Sequence, residues 1–232
     1  RDNQSGCKGV CDGLPSQVMK REDAPALCDG ERCLDEVLLA GLEARFAPGT
    51  GERSGAQPAD QFVVLHMLGN HGPAYFRRYP EAFRKFTPTC DTPDLRKCER
   101  EHIVNAYDNA LLYTDHVLAQ ALKLLRDRQA THDTALVYVS DHGESLGENN
   151  LFLHGVPYAI APKVQTEVPL LMWLSPGFAK SFALDAACLR QRATQPASHD
   201  HLFHTLLGLL DVRTAVRDNG MDLASACRRA AP

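Results

Sequence analysis

No apolar run in the chain approaches the roughly 20 residues that a helix needs to cross a bilayer. The longest, such as Val168–Leu174, are strand-sized. Positive charge is not in excess either. Lys and Arg number 25 against 29 Asp and Glu, a net charge of −4, so nucleic acid is not an expected partner. A G-x-x-x-x-G-K-[ST] loop is missing, which removes P-loop nucleotide chemistry. Also missing are internal repeats and low-complexity tracts. The chain opens at Arg1 on a polar run, with no initiating Met and no charged-then-apolar leader, and reads as a piece of something longer. What is present is ordinary for a folded protein: 232 residues, 44% hydrophobic and 23% charged. That length buries a substantial core, and the composition excludes collagen-like, coiled-coil and disordered chains.

Eight cysteines stand out in such a chain. Cys7 and Cys11, Cys28 and Cys33, and Cys90 and Cys98 are close neighbours in polar, turn-rich segments, which leaves Cys188 with Cys227. None has the C-x-x-C spacing of zinc or redox sites, so disulfides are expected over a metal cage, with free thiols the alternative. Disulfides place the chain in an oxidising compartment, such as the bacterial periplasm or the cell exterior.

Hydrophobic periodicity divides the rest. Leu34, Val37, Leu38 and Leu42 recur at helical spacing, and Ala47–Ala59 reads as a loop. Gln61–Leu68 is short, apolar and β-branched, which predicts a buried strand, and Gly69-Asn70-His71-Gly72-Pro73 turns at its end. Residues 74–98 look irregular. Glu99 to about Gln129 carries apolar residues three and four apart and predicts a long helix. Thr134–Ser140 and Val168–Leu174 predict two more buried strands, and His201–Leu210 a short helix capped by Ser198 or Asp200. Strands alternating with helices predict an α/β domain with a mostly parallel central sheet and helices on both faces. Ligands bind outside the carboxyl ends of such strands, and two polar turns lie there: Asn70-His71 and Asp141-His142-Gly143-Glu144.

Those turns hold the candidate chemistry. His66, His71, Asp141, His142, Glu144 and, ten residues on, His154 are the imidazoles and carboxylates that suit zinc or a similar divalent ion. His71, Asp141, His142 and His154 are expected to share one cation-binding pocket, with Gly143 and Gly147 permitting close backbone approach. His102, His116 and His132 read as solvated, Asp115 as a surface charge, and His199, Asp200, His201 and His204 as capping and solvated residues. Ser140 and Ser145 lie beside the cluster without an activating arrangement.

The string Val139-Ser140-Asp141-His142-Gly143-Glu144-Ser145-Leu146-Gly147-Glu148-Asn149, with Leu153-His154-Gly155 after it, resembles the phosphoethanolamine transferases that modify lipid A. These include the mobile colistin-resistance enzymes of the alkaline-phosphatase and sulfatase superfamily. Similar stretches are Arg1-Asp2-Asn3-Gln4-Ser5 with Lys8-Gly9-Val10, Gly69 to Phe76, Phe86-Thr87-Pro88, Asn105 to Ala110, and Pro157 to Lys163. The resemblance implies an alkaline-phosphatase/sulfatase-like fold. It implies an inner-membrane enzyme whose catalytic domain faces the periplasm, with residues 1–232 a C-terminal portion of that domain. Such an enzyme moves phosphoethanolamine from phosphatidylethanolamine to a lipid A phosphate through a phosphorylated Thr, and so confers polymyxin and colistin resistance. By motif, Asp141 and His142 match ligands of a primary zinc. His71 and His154 match residues that bind a further zinc or the transferred phosphate. His66 and Glu144 match the headgroup site, and Lys8 and Gln4 polar positions near it. One or two zinc ions, a monomer, and attachment to the membrane through a preceding domain are expected. The family's nucleophilic Thr and a Glu ligand lie upstream of the Arg-Asp-Asn motif, so this chain alone is expected not to turn over. The alternatives are another metal-dependent phosphotransferase or hydrolase of the superfamily, or a non-catalytic headgroup-binding module.

Overall fold

The computed structural model describes residues 1–4, 6, 12–30, 32–46 and 60–229. Lys8 and the Cys7–Cys11 pair lie outside these. The chain divides into two compact units, Arg1–Leu124 with His142–Glu167, and Leu125–Asp141 with Val168–Pro232. Among the described residues no helix is long and apolar enough to cross a membrane.

The first unit is built on helix α1, Arg100–Arg126. Its buried residues, Ile103, Ala106, Asn109, Ala110, Tyr113, Thr114, Val117 and Ala121, fall three and four apart and make one stripe. Against that stripe pack Tyr75, Tyr79, Leu95 and the Cys90–Cys98 disulfide. The irregular stretch before α1 contains three single 3-10 turns, Tyr75–Arg77, Glu81–Phe83 and Leu95–Lys97. One buried side chain fastens it. Asn109 Oδ1 accepts the backbone N–H groups of Lys85 and Phe86, both at 2.8 Å, and its Nδ2 donates to the Phe86 carbonyl at 2.8 Å.

Strands β1 (Cys28–Asp29) and β2 (Arg32–Cys33) form a two-residue hairpin closed by the Cys28–Cys33 disulfide. The helix expected over Leu34–Leu42 is instead a pair of 3-10 segments, Asp35–Leu39 and Leu42–Phe46, broken at Gly41, whose φ is +62°. The expected strand Gln61–Leu68 also differs. Among the described residues it pairs only at an isolated parallel bridge between His66 and Asp2. Phe62 and Val64 are exposed, while Leu65 and Met67 pack on Met19, Val37 and Leu38. It is therefore buried on one face, not two. Beyond α1 come strands β4 (Ser145–Leu146) and β5 (Phe152–Leu153), paired antiparallel, and the single-turn helix α2 (Lys163–Thr166).

In the second unit, β3 (Ala135–Val139) pairs in register with β6 (Leu170–Leu174), from Ala135 opposite Leu174 to Val139 opposite Leu170. This pair is antiparallel, which corrects the expected mostly parallel sheet. An apolar run long enough for a buried strand looks the same in either direction. Ala135, Val137, Met172 and Leu174 pack with Phe178 of α3 (Pro176–Ser181), Leu189 of α4 (Ala186–Arg192) and Leu209 of α5 (Asp200–Leu209). Among the described disulfides, Cys188–Cys227 closes the largest loop. The fold class is thus mixed α and β, with the ladders of the described residues antiparallel.

Candidate metal centre

The turn after residue 68 is set by two polar side chains, the buried Asp35 and the half-buried Asn70. Asp35 accepts the backbone N–H groups of Leu68 at 2.8 Å and Gly69 at 2.7 Å, and the Asn3 side-chain amide at 2.8 Å. Asn70 donates to the Tyr107 carbonyl of α1 at 3.1 Å and accepts from the Thr114 hydroxyl at 2.8 Å. His71 therefore leaves the turn from a fixed backbone, with Arg78 Nε donating to its carbonyl at 2.8 Å.

His142 and His154 come from the β4–β5 region. Gly143 lies so close to the Val164 carbonyl that a Cβ there would collide with it, and its N–H donates to the Gln165 carbonyl at 3.0 Å. Buried Gln165 reaches both arms of the hairpin, donating to Ser145 Oγ at 2.8 Å and the Leu153 carbonyl at 3.0 Å. Asn149, Asn150 and Leu153 all have positive φ, with Leu153 at +65° directly before His154. Such backbone costs of order 1–3 kcal/mol per residue and persists only where its surroundings impose it.

The three imidazoles meet. Ring centroids of His142 and His154 are 3.8 Å apart, and those of His71 lie 5.0 Å from His154 and 6.1 Å from His142. One nitrogen from each falls within 4.8 Å of the other two. Each ring has Nδ1 engaged elsewhere. His71 Nδ1 is 2.7 Å from the Gly72 carbonyl, His142 Nδ1 3.0 Å from the Gly143 carbonyl, and His154 Nδ1 3.2 Å from Glu144 Oε1. With the proton on Nδ1, Nε2 carries the lone pair, the tautomer that metal-binding histidines use.

Glu144 is the hub. Its side chain is only 4% exposed. Oε1 also accepts the Gly72 N–H at 3.1 Å, and Oε2 accepts the Tyr75 hydroxyl at 3.2 Å. Burial, with the Glu144 charge second, pushes the Tyr75 phenol far above its usual range, so it stays a donor. One carboxylate thus ties the His71 turn to His154.

The other expected residues are placed as follows. Asp141 is exposed and belongs to the second unit, though it precedes His142 in the chain. His66 Nδ1 lies 2.6 Å from the buried carboxylate of Asp2, which also accepts the Gly6 N–H at 2.6 Å. Gln4 donates its side-chain amide to the Met67 carbonyl. His116 is less solvated than expected, packing on Phe83 and Tyr113. Among the described residues, no second group of three or more His, Cys, Asp or Glu converges. His199, His201 and His204 each bond to backbone separately. Gly143-Glu144-Ser145-Leu146-Gly147 spells the letters of a G-x-S-x-G elbow, but Ser145 is fully buried in β4 against Gln165 and is not a nucleophile. Sequence reading missed Asp35, Asn109 and Gln165. Only Asn109 carries a signal, a polar residue inside an apolar helical stripe.

The sulfatase family profile matches residues 1–212. The chain belongs to the sulfatase family. Within it, the chain is 48% identical over 229 residues to phosphoethanolamine transferase EptA of Escherichia coli K12, covering 98% of this chain and 40% of that protein. It is 42% identical over 219 residues to phosphatidylethanolamine transferase Mcr-1 of Escherichia coli, covering 91% and 38%. The soluble domain of lipooligosaccharide phosphoethanolamine transferase A from Neisseria meningitidis matches with a TM-score of 0.89 at 42% identity, over 99% of this chain and 66% of that one. The periplasmic domain of EcEptC from Escherichia coli, solved in complex with Zn, matches with a TM-score of 0.67 at 25% identity, over 85% and 52%. The chain thus spans about 40% of the length of the curated EptA relative. These matches bear out the alkaline-phosphatase/sulfatase-like fold and the resemblance to lipid A phosphoethanolamine transferases.

Proposed function

We propose that this chain is the periplasmic catalytic part of an inner-membrane enzyme that moves phosphoethanolamine from phosphatidylethanolamine to a lipid A phosphate. The observation that carries this is the convergence of His71, His142 and His154 in a sulfatase-family chain 48% identical to a phosphoethanolamine transferase. Three imidazoles, each fixed through Nδ1, fit a zinc ion, and we assign His71, His142 and His154 to it; Asp141, the ligand that the motif implies beside them, is not in the converging group. A zinc ion there supplies Lewis-acid polarisation of a phosphoryl oxygen.

The protein's own part is positioning. Glu144, saturated by Gly72, Tyr75 and His154, orients His154 and the His71 turn. By motif it matches the headgroup site, and its burial favours the orienting role. By motif, His66, held by Asp2, and Gln4 are assigned to the headgroup region, and Lys8 is assigned with them from the sequence alone. Positioning and charge neutralisation are most of what phosphoryl transfer requires. Capping a lipid A phosphate with a cationic amine lowers surface charge, which weakens the binding of cationic polymyxins.

The test is transfer of labelled phosphoethanolamine to lipid A by the full-length enzyme carrying His142→Ala or His154→Ala. Transfer should fall about 100-fold or more, with loss of bound zinc and of polymyxin protection. Transfer at the parental rate would overturn the assignment.

A further inference from the structure

A small cleft on the first unit is lined by Cys33, Leu34, Asp35, Leu68, Arg77 and Arg78. Its one acid, Asp35, is committed: its oxygens accept Leu68 N–H, Gly69 N–H and the Asn3 amide. Its cations have no carboxylate at ion-pair distance among the described residues: Arg78 spends Nε on the His71 carbonyl, and Arg77 lies over the Phe76 ring, 5.4 Å from its centroid. Arg32, in β2 beside Cys33, is near enough to act on Arg78 by charge. Burial draws the Arg78 guanidinium below its ordinary value, and Arg32 and Arg77 act in the same direction, against Asp35 and Glu144. Three guanidinium groups against the carboxylates of Asp35 and Glu144 leave an excess of positive charge at a recess whose own lining includes Arg77 and Arg78. A half-buried arginine with its two amino groups left over presents the fork that matches phosphate oxygens.

We infer that Arg32, Arg77 and Arg78 form a second phosphate-binding site, which holds a phosphate of a lipid substrate at the turn carrying His71. This rests on the transferase reading in naming a lipid. The phosphate is that of a lipid A acceptor or of the phosphatidylethanolamine donor, and both share the chemistry.

The test is co-sedimentation of the chain with phosphatidylcholine vesicles containing either lipid A or phosphatidylethanolamine, with inorganic phosphate as competitor. The parent should bind one vesicle type and be displaced by phosphate. Arg77→Gln with Arg32→Gln should weaken that binding about tenfold, and Arg77→Lys much less. Both positions are exposed, so these variants keep the fold, and Arg78→Gln is read only if its circular dichroism matches the parent. Arginine-dependent binding to lipid A vesicles assigns the acceptor phosphate, and to phosphatidylethanolamine vesicles the donor phosphate. Binding unchanged in the double variant, or abolished by chelation alone, overturns the site. Failure of the transferase reading gives a different result: no transfer, with arginine-dependent binding intact.

Discussion

Glu144 reaches the metal centre only through other groups, so its removal has a specific signature. Glu144→Gln keeps the volume but removes the charge that holds His154 Nδ1–H. Zinc affinity, measured by chelator competition, should fall roughly 10–100-fold while the thermal midpoint changes little. Asn109 behaves in the opposite way. Asn109→Ala leaves the Lys85 and Phe86 amides without their acceptor and should cost roughly 3 kcal/mol in urea unfolding. The three histidines were legible in the sequence because each sits beside a glycine at a strand end or turn. Asp35 was not. It stands at the start of an apolar run and looks like an ordinary acid of a helix's first turn, and nothing local shows that it reaches Leu68 and Gly69.

Among the elements, the hairpin before His154 and the caps of the short helices carry the sharpest expectations. Gly143→Ala would drive a methyl group into the Val164 carbonyl. We expect the chain to fold and zinc affinity to drop, because the displaced backbone carries His142. In the second unit, Asp185 caps α4. The backbone N–H of Cys188, then Arg229 and the N–H of Ala187, hold its carboxyl below the ordinary value. A depressed folded value means that its stabilisation is present above about pH 4 and is lost as pH falls through the depressed value. Melting curves of Asp185→Asn and the parent should therefore differ at pH 6 and converge in strong acid. Long elements were the readable ones. α1 has seven turns over which its period repeats, and β3 and β6 are apolar runs of strand length. Pairing direction was not readable, since it depends on which strand lies alongside. The segment after Leu34 has too few turns to separate a 3-10 spacing from an α one.

For the molecule as a whole, the cross-links rank by the loop each closes. Cys188–Cys227 spans a separation of 39 residues, against 8 for Cys90–Cys98 and 5 for Cys28–Cys33. Chain-entropy arguments give about 4 kcal/mol for the first and about 2 kcal/mol for each of the others. Paired Cys→Ala variants measured in urea should keep that order. An excess of acid over base on the chain as a whole sits beside an arginine-lined recess in the first unit, so attraction to anionic vesicles should be local and strongly salt-sensitive. The imidazoles add a final consequence. All three are fastened by their far nitrogens to carbonyls or to Glu144 through contacts that involve no ion. Under the zinc assignment proposed above, uptake of the ion resembles a key entering a finished lock, unlike the small domains that acquire shape only with their metal. Stripping the ion with a chelator should silence the enzyme yet leave its circular dichroism spectrum as it was.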